Sequence, residues 1–163
     1  MHALTWPQLR EVELFLFREA ELADSSDYVN WFGLWTEKLL YCVPCNTDEI
    51  APDKKIAIIY DDRPKLEERL YRLGTKFAHS QRPKSLLSRT VNNIVPGDDY
   101  DPEVGGTVTT RFVLAEVRNE EQRFWAGRTR HVLVREGGVL KMREKVVYLL
   151  ANDLVLGNMT FLL

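Results

Sequence analysis

Apolar positions in the first third of the chain repeat at helical spacing. Leu9, Val12, Leu16, Ala20 and Ala23 fall on one stripe, widened by Phe15 and Phe17, and predict an amphipathic helix. Thr5-Trp6-Pro7-Gln8 supplies its start. Threonine and glutamine have capping-box spacing, and a first-turn proline loses no hydrogen bond that the helix would otherwise make. Asp24-Ser25-Ser26-Asp27 predicts a stop followed by a new N-cap. Tyr28, Trp31, Phe32 and Trp35 then have i, i+3, i+4, i+7 spacing and predict a second helix. Both helices need a broad apolar surface to cover, which a sheet can supply.

The period then shortens. Residues 39–43 are an apolar run ending at Pro44, and residues 56–60 another ending at Asp61-Asp62. Residues 64–73 predict a third helix, with Leu66, Leu70 and Leu73 on one side and Gly74 just past its end. Residues 81–84 read as loop, and 85–95 as a strand closed by Pro96-Gly97-Asp98-Asp99. Three long strands follow over 108–117, 124–135 and 139–151, joined by the polar residues 118–122 and by Gly137-Gly138. A two-glycine loop between such runs is a strong hairpin signal, because both positions accept positive φ. Helices first and a strand meander last predict an α+β domain over residues 1–163, with its helices on one face of a curved, mostly antiparallel sheet.

The hairpin also predicts a register. If Glu136 pairs with Val139, then Leu133 lies opposite Met142, Thr129 opposite Val146, Gly127 opposite Tyr148 and Trp125 opposite Leu150, on a face that lines the interior. His131 falls opposite Glu144 on that face. A histidine beside a carboxylate in an apolar cavity can be poised for acid–base chemistry, or the two can satisfy each other as a structural pair. The opposite face carries Arg128, Arg130, Lys141, Arg143 and Lys145. It reads either as a solvated surface or as a contact for an acidic subunit.

Composition narrows the class. The formal net charge is −2 and 28% of the 163 residues are charged, which excludes a protein built to neutralise nucleic-acid phosphates. The first residues lack the basic and apolar regions of a signal peptide, and no apolar run approaches the roughly 18–20 residues needed to span a bilayer. The cytoplasm is the expected location. Cys42-Val43-Pro44-Cys45 has redox-motif spacing, but it ends a strand and leads into residues 46–49, read as loop, rather than opening a helix that would stabilise a thiolate. The histidines, at 2, 79 and 131, have no Cys-x-His spacing for a Rieske cluster. His79 and His131 sit in unlike contexts for an iron-binding triad. No metal or cofactor is expected in this chain.

Three fragments in order carry a family resemblance. The first is Asp27-Tyr28, Trp31 and Tyr41-Cys42-Val43-Pro44. The second is Tyr60-Asp61-Asp62, the leucine- and arginine-rich helix, and Ser88-Arg89-Thr90-Val91-Asn92-Asn93-Ile94. The third runs from Trp125 through Leu133, then Lys145-Val146-Val147-Tyr148-Leu149, and closes with Asn158-Met159-Thr160-Phe161-Leu162-Leu163. In these the chain resembles the β (small) subunits of aromatic-ring-hydroxylating dioxygenases, the Rieske non-haem iron oxygenase family. The resemblance implies a cystatin-like, nuclear transport factor 2-like cone and a structural role without catalytic or metal-binding residues. It implies a homotrimer within an α3β3 heterohexamer. The large (α) subunit would hold the Rieske [2Fe–2S] cluster and mononuclear Fe(II), and would cis-dihydroxylate the aromatic compound. The alternatives are a free-standing cone-fold isomerase or dehydratase, or a small-molecule-binding protein, using a pocket around His131 and Glu144.

Overall fold

The computed structural model describes residues 4–45, 57–75, 83–151 and 160–163. Helix α1 spans Trp6–Asp24, and Gln8 Oε1 accepts the Thr5 backbone N–H at 2.9 Å, as capping-box spacing predicts. It buries Val12, Leu16, Ala20 and Ala23, and with them Glu19. Phe17 does not join the stripe. It is 39% exposed, with the Arg10 guanidinium 6.0 Å from its ring.

Helix α2 spans only Tyr28–Phe32, capped by Asp27, whose side chain accepts the Asn30 N–H. The expected helix through Trp35 stops at Gly33, and Trp35 opens strand β1, Trp35–Pro44. The aromatic periodicity is satisfied by tertiary packing instead. Trp31, Trp35 and Tyr41 make three edge-to-face contacts with centroids 5.4–6.2 Å apart. Strand β2 is Ala57–Asp61. Helix α3, Arg63–Gly74, is capped by the Asp62 side chain and buries Leu66 and Leu70; it takes Gly74 into its last turn.

Strands β3 (Leu86–Pro96), β4 (Gly105–Arg118), β5 (Glu121–Glu136) and β6 (Val139–Leu149) complete one six-stranded sheet of order β2-β1-β6-β5-β4-β3. All neighbours are antiparallel except β1 and β6. Gly137 and Gly138 turn the last hairpin with φ of 58° and 79°. Asn119 and Glu120 do the same between β4 and β5, at 51° and 63°, so that connection is tighter than the five polar residues suggest. Helix α1 crosses the inner face of the sheet. Its polar ties run from Glu11 to Arg135 on β5, from Glu19 to Lys145 on β6 and from Asp24 to Arg89 on β3.

The register of the last hairpin departs from expectation at one residue. Pairing runs as anticipated from Glu136↔Val139 to Leu133↔Met142, but Val132 then pairs with Glu144, leaving Arg143 as the extra residue of a β-bulge. Side chains alternate, so one added residue exchanges the two faces of the rest of β6. Lys145, Val147 and Leu149 turn inward. Glu144, Val146 and Tyr148 turn outward, where Val146 and Tyr148 pack with Cys42 in a separate small cluster.

Candidate functional site

The bulge decides the chemistry of the interior. His131 is opposite Lys145, and the expected His131/Glu144 pair does not form. Glu144 lies on the other face, 2.9 Å from Arg130 Nη2. His131 is 3% exposed, and neither of its ring nitrogens has a hydrogen-bond partner among the described residues. Burial and then the nearby Lys145 charge push its pKa down to about 3, against a smaller pull upward from Glu19. The ring is therefore neutral at ordinary pH.

Beside it lies a buried ion pair. Glu19 Oε1 accepts from Lys145 Nζ at 2.6 Å and from the Trp31 indole N–H at 2.7 Å. Burial alone would raise the Glu19 carboxyl. The charges of Lys145 and Arg89 and the Lys145 hydrogen bond outweigh it and hold the carboxyl below its ordinary value. Burial pulls the Lys145 ammonium down, opposed by Glu19. We take the pair as ionised, because a carboxyl held below its ordinary value is no resting place for the shared proton.

The last residues of the sequence fill the same interior. Arg89 donates from Nε and from its backbone N–H to Asp24, at 2.6 and 2.7 Å, and from Nη2 to the Leu162 carbonyl at 2.8 Å. Leu163 donates its N–H to the Tyr41 hydroxyl at 3.0 Å. Phe161 stacks edge-on against Trp125 with centroids 5.6 Å apart, and Thr160 through Leu163 are all buried. The arginine of Ser88-Arg89-Thr90 and the tyrosine of Tyr41-Cys42-Val43-Pro44 thus hold the tail in place.

Sequence reasoning missed the Glu19–Lys145 pair, although a signal was present. Glu19 falls on the helical stripe through Val12, Leu16 and Ala23, where a carboxylate needs a partner. Lys145 abuts the apolar run 146–149.

On the outer face the anticipated basic row is largely neutralised. Lys145 has turned inward, Arg130 pairs with Glu144, and the Arg128 guanidinium lies 4.1 Å from the Tyr148 ring centroid. Next to it the face is apolar. Leu86 pairs with Val117 and Ala115 with Phe124, while Leu86 and Phe124 are 71% and 66% exposed.

The two cysteines are free, and the motif ends a strand. Cys42 is buried, and burial pushes its thiol up to about 11, the opposite of an activated nucleophile. A thiol reagent at pH 8 is expected to modify Cys45 in the folded protein and Cys42 only after denaturation; equal labelling rates would contradict this burial. Among the described residues no group of three or more His, Cys, Asp or Glu side chains could hold a metal ion. His79, the expected loop at 46–49 and Asn158-Met159 lie outside the described residues. No helix among the described residues is long and apolar enough to cross a membrane.

A family model described as "Ring hydroxylating beta subunit" matches residues 18–155. The chain belongs to this family. It is 34% identical over 142 residues, 85% of this chain and 77% of the other, to the small oxygenase component of a p-cumate 2,3-dioxygenase system from Pseudomonas putida. The crystal structure of the β subunit of benzoate 1,2-dioxygenase from Burkholderia mallei superposes with a TM-score of 0.76. That match covers 99% of this chain and 100% of the other at 21% identity. A naphthalene 1,2-dioxygenase with indole bound gives 0.82 over 100% of this chain and 89% of the other, at 18% identity. The expected α+β cone is therefore the fold of this ring-hydroxylating β subunit. The motifs that carried the resemblance have physical roles within it: Trp31 caps Glu19, and Arg89 and Tyr41 anchor the tail.

Proposed function

We propose that this chain is the non-catalytic small subunit of an aromatic-ring-hydroxylating dioxygenase, and that residues 1–163 act as one domain whose contribution is shape and contact surface. The observation that carries this reading is what the inner face holds among the described residues. Where a cone-fold enzyme needs titratable groups free to face substrate, this face holds a buried ion pair, a neutral buried histidine and the buried residues 160–163. Contact surface lies instead on the outside, where Leu86, Val113, Val117 and Phe124 expose a contiguous apolar patch on the outer sheet face.

In this reading the partner is the large α subunit, and the small subunits form a homotrimer within an α3β3 heterohexamer in the cytoplasm. The large subunit carries the Rieske [2Fe–2S] cluster and mononuclear Fe(II) and performs the O₂-dependent dihydroxylation. Kinship to dioxygenase small components supports this division of labour.

The test is purification of the chain with and without a dioxygenase large subunit co-produced with it. Alone it is expected to form a trimer, to contain no stoichiometric iron and to turn over no substrate. Together the two are expected to give a heterohexamer with oxygen-dependent activity. A strict monomer that ignores the large subunit, or turnover by the lone chain, would overturn the proposal.

A further inference from the structure

A cleft between α2 and the C-terminal half of α3 is separate from both the cone interior and the outer sheet face. Its volume is about 450 Å³ and it is broadly open to solvent, a size within the range of small-molecule sites. Tyr28, Phe32 and Tyr71 give it aromatic surface, and Val29 and Leu70 give it aliphatic surface. Val29 and Tyr71 are 84% and 72% exposed, so a large part of this apolar lining meets water. At the end of α3, Gly74 leaves room beside the Tyr28 ring, which even an added Cβ would approach only to 4.0 Å.

Among the described residues, the charged side chains that line the cleft, Asp27 and Glu67, are both carboxylates. Asp27 accepts the Asn30 side-chain amide at 2.8 Å and its backbone N–H at 3.2 Å, which hold its carboxyl below the usual range and therefore ionised. Glu67 is more than half exposed, and among the described residues its only ion-pair contact is a loose 3.6 Å approach to Arg63 Nε. Arg63 itself is turned over the Phe32 ring, 4.4 Å from its centroid, and reaches toward Glu37. A ring seated on Tyr28 and Tyr71 would thus meet negative charge at the rim. That attracts an ammonium and repels a carboxylate.

We propose that this cleft is a binding site for a small aromatic molecule that is neutral or bears an amine, and that it rejects aromatic carboxylates. The Asp27-Tyr28 pair would form part of its wall. The inference does not depend on the chain being a dioxygenase subunit.

Ligand-observed NMR with toluene, benzylamine and benzoate tests it, on the chain alone and on its complex with the large subunit. Toluene and benzylamine are expected to bind in both forms, benzylamine more tightly, and benzoate not to bind. Tyr71→Ala removes an exposed aromatic wall without touching the core, and should weaken benzylamine about tenfold. Glu67→Gln should reduce the advantage of benzylamine over toluene, leaving the part that Asp27 supplies, with toluene unchanged. Circular dichroism and the melting temperature of each variant report whether it has folded. Benzoate binding as well as benzylamine, or affinity indifferent to Tyr71→Ala, would overturn the proposal. So would binding that disappears when the large subunit is added, which would reassign the cleft to a protein contact.

Discussion

A His131→Leu variant is expected to lose most of the acid sensitivity of the fold between about pH 6.5 and pH 4, while remaining at least as stable as the parent at pH 7. The sign follows from the direction of the shift. His131 is neutral in the folded protein, where its pKa is about 3. In the unfolded chain a histidine titrates near 6.5. Below pH 6.5 the unfolded state therefore binds a proton that the folded state refuses, and stability falls with pH until the folded pKa is reached. At pH 5 the loss relative to pH 7 from this one group is about 2 kcal/mol. For a domain of this size that corresponds to roughly 4–8 °C in melting temperature.

Leucine does not titrate, so its melting temperature should change much less between pH 7 and pH 5. At pH 7 the variant also removes two ring nitrogens that have no hydrogen-bond partner among the described residues. A buried polar group without a partner costs about 1–3 kcal/mol, and an apolar side chain of similar size does not carry that cost. Thermal melts of parent and variant at pH 5, 6 and 7 measure both effects. Parallel pH profiles for the two proteins would show that another group carries the acid sensitivity. Glu19 is separable from His131 in such data, because a carboxyl held below its ordinary value loses its stabilising contribution only at lower pH.

How much of this was legible depended on whether a feature was written locally. The helix stripe of α1, its capping residues and the Gly137-Gly138 turn are short-range signals, and each appears where the residues place it. The α2 boundary was less legible, because Trp35 keeps helical spacing with Trp31. The three-way packing of Trp31, Trp35 and Tyr41 can be met equally by a helix that continues or by one that gives way to a strand. The β6 bulge left no local mark. Arg143 is neither glycine nor proline, and its placement follows from which residues of 144–149 the two faces can accept. A bulge of one residue was enough to replace a carboxylate beside His131 by an ammonium, and so to turn a possible acid–base site into a closed electrostatic core. The seat of the tail was equally illegible, since it depends on Tyr41 and Arg89 far away in sequence.

The closed core makes the strongest stability prediction. Lys145→Met leaves the Glu19 carboxylate buried at 3% exposure without its cation, keeping among the described residues only the Trp31 N–H as a close donor. Breaking one side of a buried ion pair costs about 3–5 kcal/mol, because the remaining charge cannot recover its hydration. For this chain length the melting temperature should fall by roughly 10 °C or more. Adding Glu19→Gln should recover most of the loss. Glutamine keeps a carbonyl to accept the Trp31 N–H, and methionine fills much of the space of the lysine stem without charge. Replacing both members of a buried pair is often neutral or stabilising, since the desolvation cost of two ions disappears with them. Urea melts of the parent, both single variants and the double variant form a cycle whose coupling energy isolates the pair. A strongly destabilised single variant rescued by the second substitution would show that Lys145 serves Glu19. A double variant no better than the sum of the singles would instead place the lysine's contribution in its contacts with the Trp31 ring, 5.9 Å from the ammonium, and the surrounding side chains.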